Sequence, residues 1–113
     1  MTINDYSRQA LSTDLFDKDE ALDSHQMLEK VFGLMGEAGE VAEKYKKILR
    51  DKSGQATDDD KKEIAKELGD VLWYINAVGD YLGYSLEEIA AMNLEKVTSR
   101  KARGVTTGSG DNR

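Results

Sequence analysis

The chain contains no cysteine and no proline. The first absence excludes disulfides, iron–sulfur clusters and thiolate zinc sites, and it fits a reducing compartment. The second removes the strongest helix breaker. Aromatic residues are few, and histidine occurs once, at His25. A di-iron bundle needs two Glu-x-x-His motifs and is therefore excluded. No apolar run approaches the roughly 18 residues of a membrane span, and no signal-type apolar segment opens the chain. These absences predict a soluble cytoplasmic protein without a membrane partner. A net charge of −6 argues against a nucleic-acid partner. The charge is uneven, because Lys96, Arg100, Lys101 and Arg103 make the C-terminal end basic.

What remains is the composition of a helical protein. Alanine, leucine, glutamate and lysine are plentiful, and 113 residues suit one domain. Ile3 to Leu11 reads as a short helix, and Ser12 to Asp23 as a polar connector. Ser24 to Arg50 carries apolar residues in one broad stripe at about 100° per residue, the mark of a long helix. Asp51 to Gln55 reads as a loop. Thr57, followed by Asp58, Asp59 and Asp60, caps a second long helix that ends near Leu82, with Gly83 beyond it. Its stretch Val71 to Ile75 is apolar nearly all round, which predicts burial on two sides, as against a second subunit. Ser85 and Glu88 form a capping box for a last helix that ends near Arg103, with Gly104 as its stop. Residues 105–113, rich in Gly, Ser and Thr, read as a disordered tail. The expected fold is all-α: one domain over residues 1–104, with three main helices, a short first one and an oligomeric four-helix-type core.

Two short words inside the long helices nearly repeat each other. Glu37-Ala38-Gly39-Glu40-Val41 returns thirty positions later as Glu67-Leu68-Gly69-Asp70-Val71. Residues three apart share a helix face, so each word presents two carboxylates together. With Glu37 at 0°, Glu40 falls at about 300° and the apolar stripe at roughly 20° to 180°, so both acids rim the seam. Four converging carboxylates repel one another unless a cation sits among them. An all-oxygen donor set selects Mg²⁺, with Mn²⁺ as a substitute. The ordinary alternative is a set of solvated flanking acids, which leaves the repetition without a cause.

Other residues can be read toward a phosphate ligand or away from it. Gly33, Gly36, Gly39 and Gly69 lie within predicted helices, where each costs about 1 kcal/mol against alanine. Small residues there admit a ligand or a tightly packed helix. Asn93 falls on the apolar face of the last helix, with Lys96 and Arg100 beside it. A buried Asn needs partners, either another helix or a nucleoside. Lys47, Lys96 and Arg100 can neutralise phosphate oxygens, or can be solvated cations that suit helix ends. Trp73 and Tyr74 follow the second acid word; they are core residues or a surface on which a base stacks. His25 is expected at the surface.

These residues also resemble a known family. Gly33 to Glu43, Lys46-Lys47, Glu67 to Tyr74, Asn93 to Val97 and Arg100 are similar to the MazG-like nucleoside triphosphate pyrophosphohydrolases. The likeness covers about His25 to Arg103. It implies an all-α fold shared with dimeric dUTPases and phosphoribosyl-ATP pyrophosphohydrolases. It implies hydrolysis of a nucleoside triphosphate to monophosphate and pyrophosphate, and Mg²⁺ held at Glu37, Glu40, Glu67 and Asp70. It also implies a homodimer or homotetramer with sites near subunit contacts. One departure is Gly36, where the family commonly has another glutamate, and this leaves the number of metal ions open.

Together the residues and the resemblance lead to a Mg²⁺-dependent (deoxy)nucleoside triphosphate pyrophosphohydrolase. Glu37 or Glu40 is expected as general base. Lys47, Lys96 and Arg100 are expected on the phosphates, and Asn93 with Trp73 on the nucleoside. The alternatives are a non-catalytic helical interaction module and a pyrophosphohydrolase of another nucleotide-like metabolite.

Overall fold

A computed structural model describes residues 1–15 and 21–113. All regular structure among them is helical: α1 Ile3–Leu11, α2 His25–Lys52, α3 Asp58–Tyr81 and α4 Leu86–Ala102. The all-α expectation therefore holds, and each long helix falls within two residues of its expected bounds. The predicted connector at residues 12–23 lies partly outside the described residues. None of the described helices is long and apolar enough to cross a membrane.

Each helix begins where a side chain takes up an otherwise unpaired backbone N–H. Thr2, Thr57 and Ser85 make reciprocal capping boxes with Asp5, Asp60 and Glu88, and the Ser24 hydroxyl accepts from Met27 N at 3.1 Å. Asp60 has a second partner in Lys52 Nζ, 2.7 Å from its carboxylate. That contact, with the Thr57 backbone, lowers the Asp60 carboxyl to about 2. The same pair ties the end of α2 to the start of α3 across the tight loop, where Ser53 and Gly54 take positive φ.

α2 and α3 pack as an antiparallel hairpin. Gly33 lies against the Tyr74 ring near one end, and Lys44 reaches Glu63 and Glu67 nearer the loop. A Cβ on Gly33 would clash with Tyr74 Cε1, so glycine is what lets the aromatic ring approach α2. α1 packs on the α3 side of this hairpin and on α4. Its Ser7 hydroxyl donates to buried Asn76 Oδ1 at 2.6 Å, and Asn76 Nδ2 donates back to Ser7 O at 3.1 Å. Trp73 Nε1 donates to Thr13 Oγ1 at 2.9 Å and to Ala10 O at 3.2 Å. Buried Lys30 pairs with Asp14 at 3.1 Å, with its ammonium 5.6 Å from the centre of the Trp73 ring.

α4 packs on α1 and α3 and makes no contact with α2 among the described residues. It meets α3 at Gly79, where an added Cβ would lie 2.6 Å from Ile89 Cδ1. Its middle turns are exposed, so Asn93, expected on a buried face, is exposed in the single chain. Residues 105–113, expected as a disordered tail, form turns that lie back against α4. The core of one chain is thin. Ala10, Met27, Ile48, Ala77 and Leu86 are the buried apolar residues among those described, while Phe32, Met35 and Leu94 are about two-thirds exposed.

Asn76 is the polar pin between α1 and α3. Replacing Asn76 with Ala leaves the Ser7 carbonyl and hydroxyl without these partners and should lower stability by about 2 kcal/mol. Urea unfolding followed by circular dichroism checks this; an unchanged midpoint would show that α1 is docked by other contacts.

Candidate metal and phosphate site

The two acid words meet on the α2–α3 seam. One carboxylate oxygen from each of Glu37, Glu67 and Asp70 lies within 4.8 Å of the other two. The thirty-residue repeat reappears as local two-fold geometry. Glu37 and Glu67 are part-buried, while Glu40 and Asp70, each three residues on, are exposed. The same relation turns the Gly33–Tyr74 contact into the Glu63–Lys44 contact.

Of the four acids expected at the site, Glu37, Glu67 and Asp70 lie together in the single chain. Glu40 is close enough to Glu37 to disfavour its ionisation but lies outside the three-oxygen group. Burial is the first cause that raises the Glu37 carboxyl above its ordinary value, followed by the negative charges of Asp70, Glu67 and Glu40. Such a group gains more from a cation than an isolated surface acid does. The donor set, three carboxylates with one face open, fits a hard divalent ion.

Lys44 was not anticipated. Its Nζ lies 2.7 Å from Glu67 Oε1 and 3.6 Å from Glu63 Oε2. The Glu67 contact is the first cause that raises the Lys44 ammonium above its ordinary value. The signal was in the spacing, because Lys44 follows Glu37 by seven residues and so returns to the same helix face. Tyr6 of α1 was also missed. Burial first, then the charge of Asp70, raises its phenol.

The remaining sequence candidates divide. Trp73 and Tyr74 pack edge to face at 5.0 Å and line a cavity of about 360 Å³ with Glu37 and Asp70. Trp73 thus sits at the site, while its indole N–H is engaged by α1. Tyr74 also lines a second cavity of about 580 Å³, with His25, Leu28, Glu29, Phe32 and Gly33. Lys47 is exposed nearer the loop and lines a smaller cavity with Lys44, Asp51 and Asp60. Asn93, Lys96 and Arg100 stand on α4, which does not touch α2, so a single chain does not bring them to the Glu37 side of the seam. Gly36, Gly39 and Gly69 have open space at the Cβ position, which leaves the rim of the site uncovered.

The chain is thus an all-α protein whose long helical hairpin carries clustered carboxylates on its seam, with cavities beside them. A family model described as the MazG nucleotide pyrophosphohydrolase domain matches residues 24–105. The chain belongs to this family. It is also 44% identical, over the full length of both chains, to the Gene 37 protein of Mycobacterium phage L5. No solved structure matches it.

The raised Glu37 carboxyl has a pH signature. The folded chain holds this proton at pH values where the unfolded chain has already released it. Glu37 therefore subtracts from stability as pH rises above 4.5, its ordinary value, and contributes nothing well below it. In metal-free buffer, Glu37→Gln should raise the urea midpoint at pH 7.5 and leave it unchanged at pH 3.5. An equal effect at both values would mean that repulsion at the seam is not the cause.

Proposed function

We propose that the protein hydrolyses a (deoxy)nucleoside triphosphate to the monophosphate and pyrophosphate, with Mg²⁺ held by Glu37, Glu67 and Asp70. The observation that carries this reading is the convergence of those three carboxylates from two helices onto one open seam. A triphosphate and a carboxylate cluster repel each other; a cation held by these three residues would supply the positive charge that lets them meet and would polarise the phosphoryl oxygens.

The chain's own residues set the direction of the substrate. The two ends of the seam are related in backbone but opposite in chemistry. The Gly33–Tyr74 end opens into the cavity lined by Leu28, Phe32 and His25, which suits a nucleoside. The Lys44 end is cationic and suits the far phosphates that leave as pyrophosphate. Lys47, further along the same helix, extends this positive end. Glu40 is not committed to the three-oxygen group, so it is placed as the base that orients a water and takes its proton. The water oxygen bonds to phosphorus, the P–O bond to pyrophosphate breaks, and Lys44 offsets charge on the leaving oxygen. Glu37 can fill the same role if cation binding leaves one of its oxygens unused.

Asn93, Lys96 and Arg100 enter this reading through assembly. The exposed Phe32, Met35, Leu94 and Val97 are apolar surface of the kind that copies of a chain bury against one another. In a homodimer or homotetramer, α4 of a second copy supplies those residues to the nucleoside and phosphates.

Two measurements test this reading. Incubation with each dNTP and Mg²⁺, assayed for pyrophosphate, should show turnover that Glu67→Gln and Asp70→Asn reduce by at least about a hundredfold. Both variants should keep a helical far-UV spectrum. Undiminished turnover in either variant would overturn the carboxylate mechanism. Light scattering should give a mass at least twice that of one chain; a monomer would remove the assembly step.

A further inference from the structure

The basic end of α4 is occupied by the chain's own C-terminal segment. Asp111 Oδ1 lies 2.9 Å from Lys96 Nζ and 3.3 Å from Arg100 Nη2. Arg100 Nη2 also donates to the backbone carbonyl of Asp111 and, at 3.5 Å, to that of Gly110. Arg103 Nη2 donates to Arg113 O at 2.8 Å. Arg113 pins the turn in place by donating to Val105 O, Thr106 O and Gly110 O. Lys96 and Arg100 of α4, and Arg103 just beyond it, thus meet one carboxylate and a set of carbonyl oxygens from the same nine-residue segment.

The fit is incomplete in a specific way. Arg100 is only 8% exposed, yet its Nε is buried with no hydrogen-bond partner. A guanidinium offers its donors as a planar fork, and a tetrahedral oxyanion takes two of them side by side. The segment crowds its oxygens onto Nη2 and leaves Nε unpaired, at the cost of an unmade bond to a charged group. Beside it, Lys96, Ser99, Arg103 and Arg113 line an open cavity of about 370 Å³. By contrast, Asp111 itself is 78% exposed at its side chain, so its pairs with Lys96 and Arg100 are weak ones that a stronger anion can displace.

We propose that residues 105–113 form an internal competitor, in which Asp111 and the neighbouring carbonyls occupy Lys96 and Arg100 until a polyphosphate chain displaces them. This rests on the reading above of Lys96 and Arg100 as phosphate contacts. It adds a regulation of that site: the apparent affinity for substrate is lowered by a contact the chain makes with itself. A phosphoryl group satisfies both Nη2 and Nε of Arg100, which the segment does not. Exchange of one anion for the other is therefore favoured once a polyphosphate is present. The contact is electrostatic and exposed at Asp111, so the competition weakens as salt rises.

The test reads the anion contact apart from catalysis. Inorganic tripolyphosphate is titrated calorimetrically into the full chain in metal-free buffer, where the carboxylate seam offers it no bridging cation. Asp111→Asn should bind it about three- to tenfold more tightly than the unaltered chain, the range expected for losing one or two exposed pairs. Asp111→Ala should do the same, and adding Lys96→Gln to Asp111→Asn should cancel the gain. In parallel, the KM of Asp111→Asn for a hydrolysed dNTP should fall by a similar factor with kcat unchanged. Equal or weaker tripolyphosphate binding by both Asp111 variants overturns the competitor, as does tighter binding with an unchanged KM. Tighter tripolyphosphate binding without turnover of any dNTP would uphold the competitor and reject the hydrolase reading. Turnover with neither affinity nor KM altered would do the reverse.

Discussion

Three carboxylates held within reach of one ion across a helix seam are the constraint on which the rest of this molecule turns. Glu37, Glu67 and Asp70 repel one another, and nothing in the α-helix itself brings them together. The packing of α2 on α3 does so, with the tight loop and the Lys52–Asp60 pair setting the register of the hairpin. The cost of that convergence shows in the raised Glu37 carboxyl and in the way Lys44 reaches over to Glu67. Lys44 supplies the positive charge that the seam needs in the single chain.

The local two-fold relation between α2 and α3 explains both what is repeated and what is not. Around the two acid words, positions thirty apart share their burial, so the acids come in matched pairs. The matched pairs then differ where chemistry needs a direction. Tyr74 with Gly33 opens one end toward an apolar cavity, and Lys44 with Glu63 makes the other end charged. A near-symmetric scaffold thereby carries two chemically different ends, one apolar and one charged.

The periphery follows a different logic. α1 is fixed by polar pins, Asn76 to Ser7 and Trp73 to Ala10 and Thr13, and it carries Tyr6 to the edge of the acid cluster. α4 is held mainly at its N-terminal turns. Its basic end is met by the chain's last residues rather than by the seam. Val71 to Ile75, expected to be buried on two sides, is half-buried in one chain, and much of the apolar surface of α2 and α4 is uncovered.

The sequence by itself determined the helices, because caps, periodicity and the absence of proline act locally: Thr57 with Asp60 and Ser85 with Glu88 start α3 and α4 wherever the rest of the chain goes. It also determined that acids would recur in one register, and the heptad spacing that carries Lys44 was legible though unread. Only the tertiary structure decided which acids converge. Glu40 and Asp70 have equivalent places in their words, yet Asp70 joins the three-oxygen group and Glu40 does not. That choice depends on how two helices rotate against each other, a sum of many weak packing contacts rather than a property of any short word. The same holds for Asn93, which helical spacing placed on a buried face and the packing of α4 left in solvent. It holds too for Asp111, whose pairing with Arg100 no composition of the last nine residues announces.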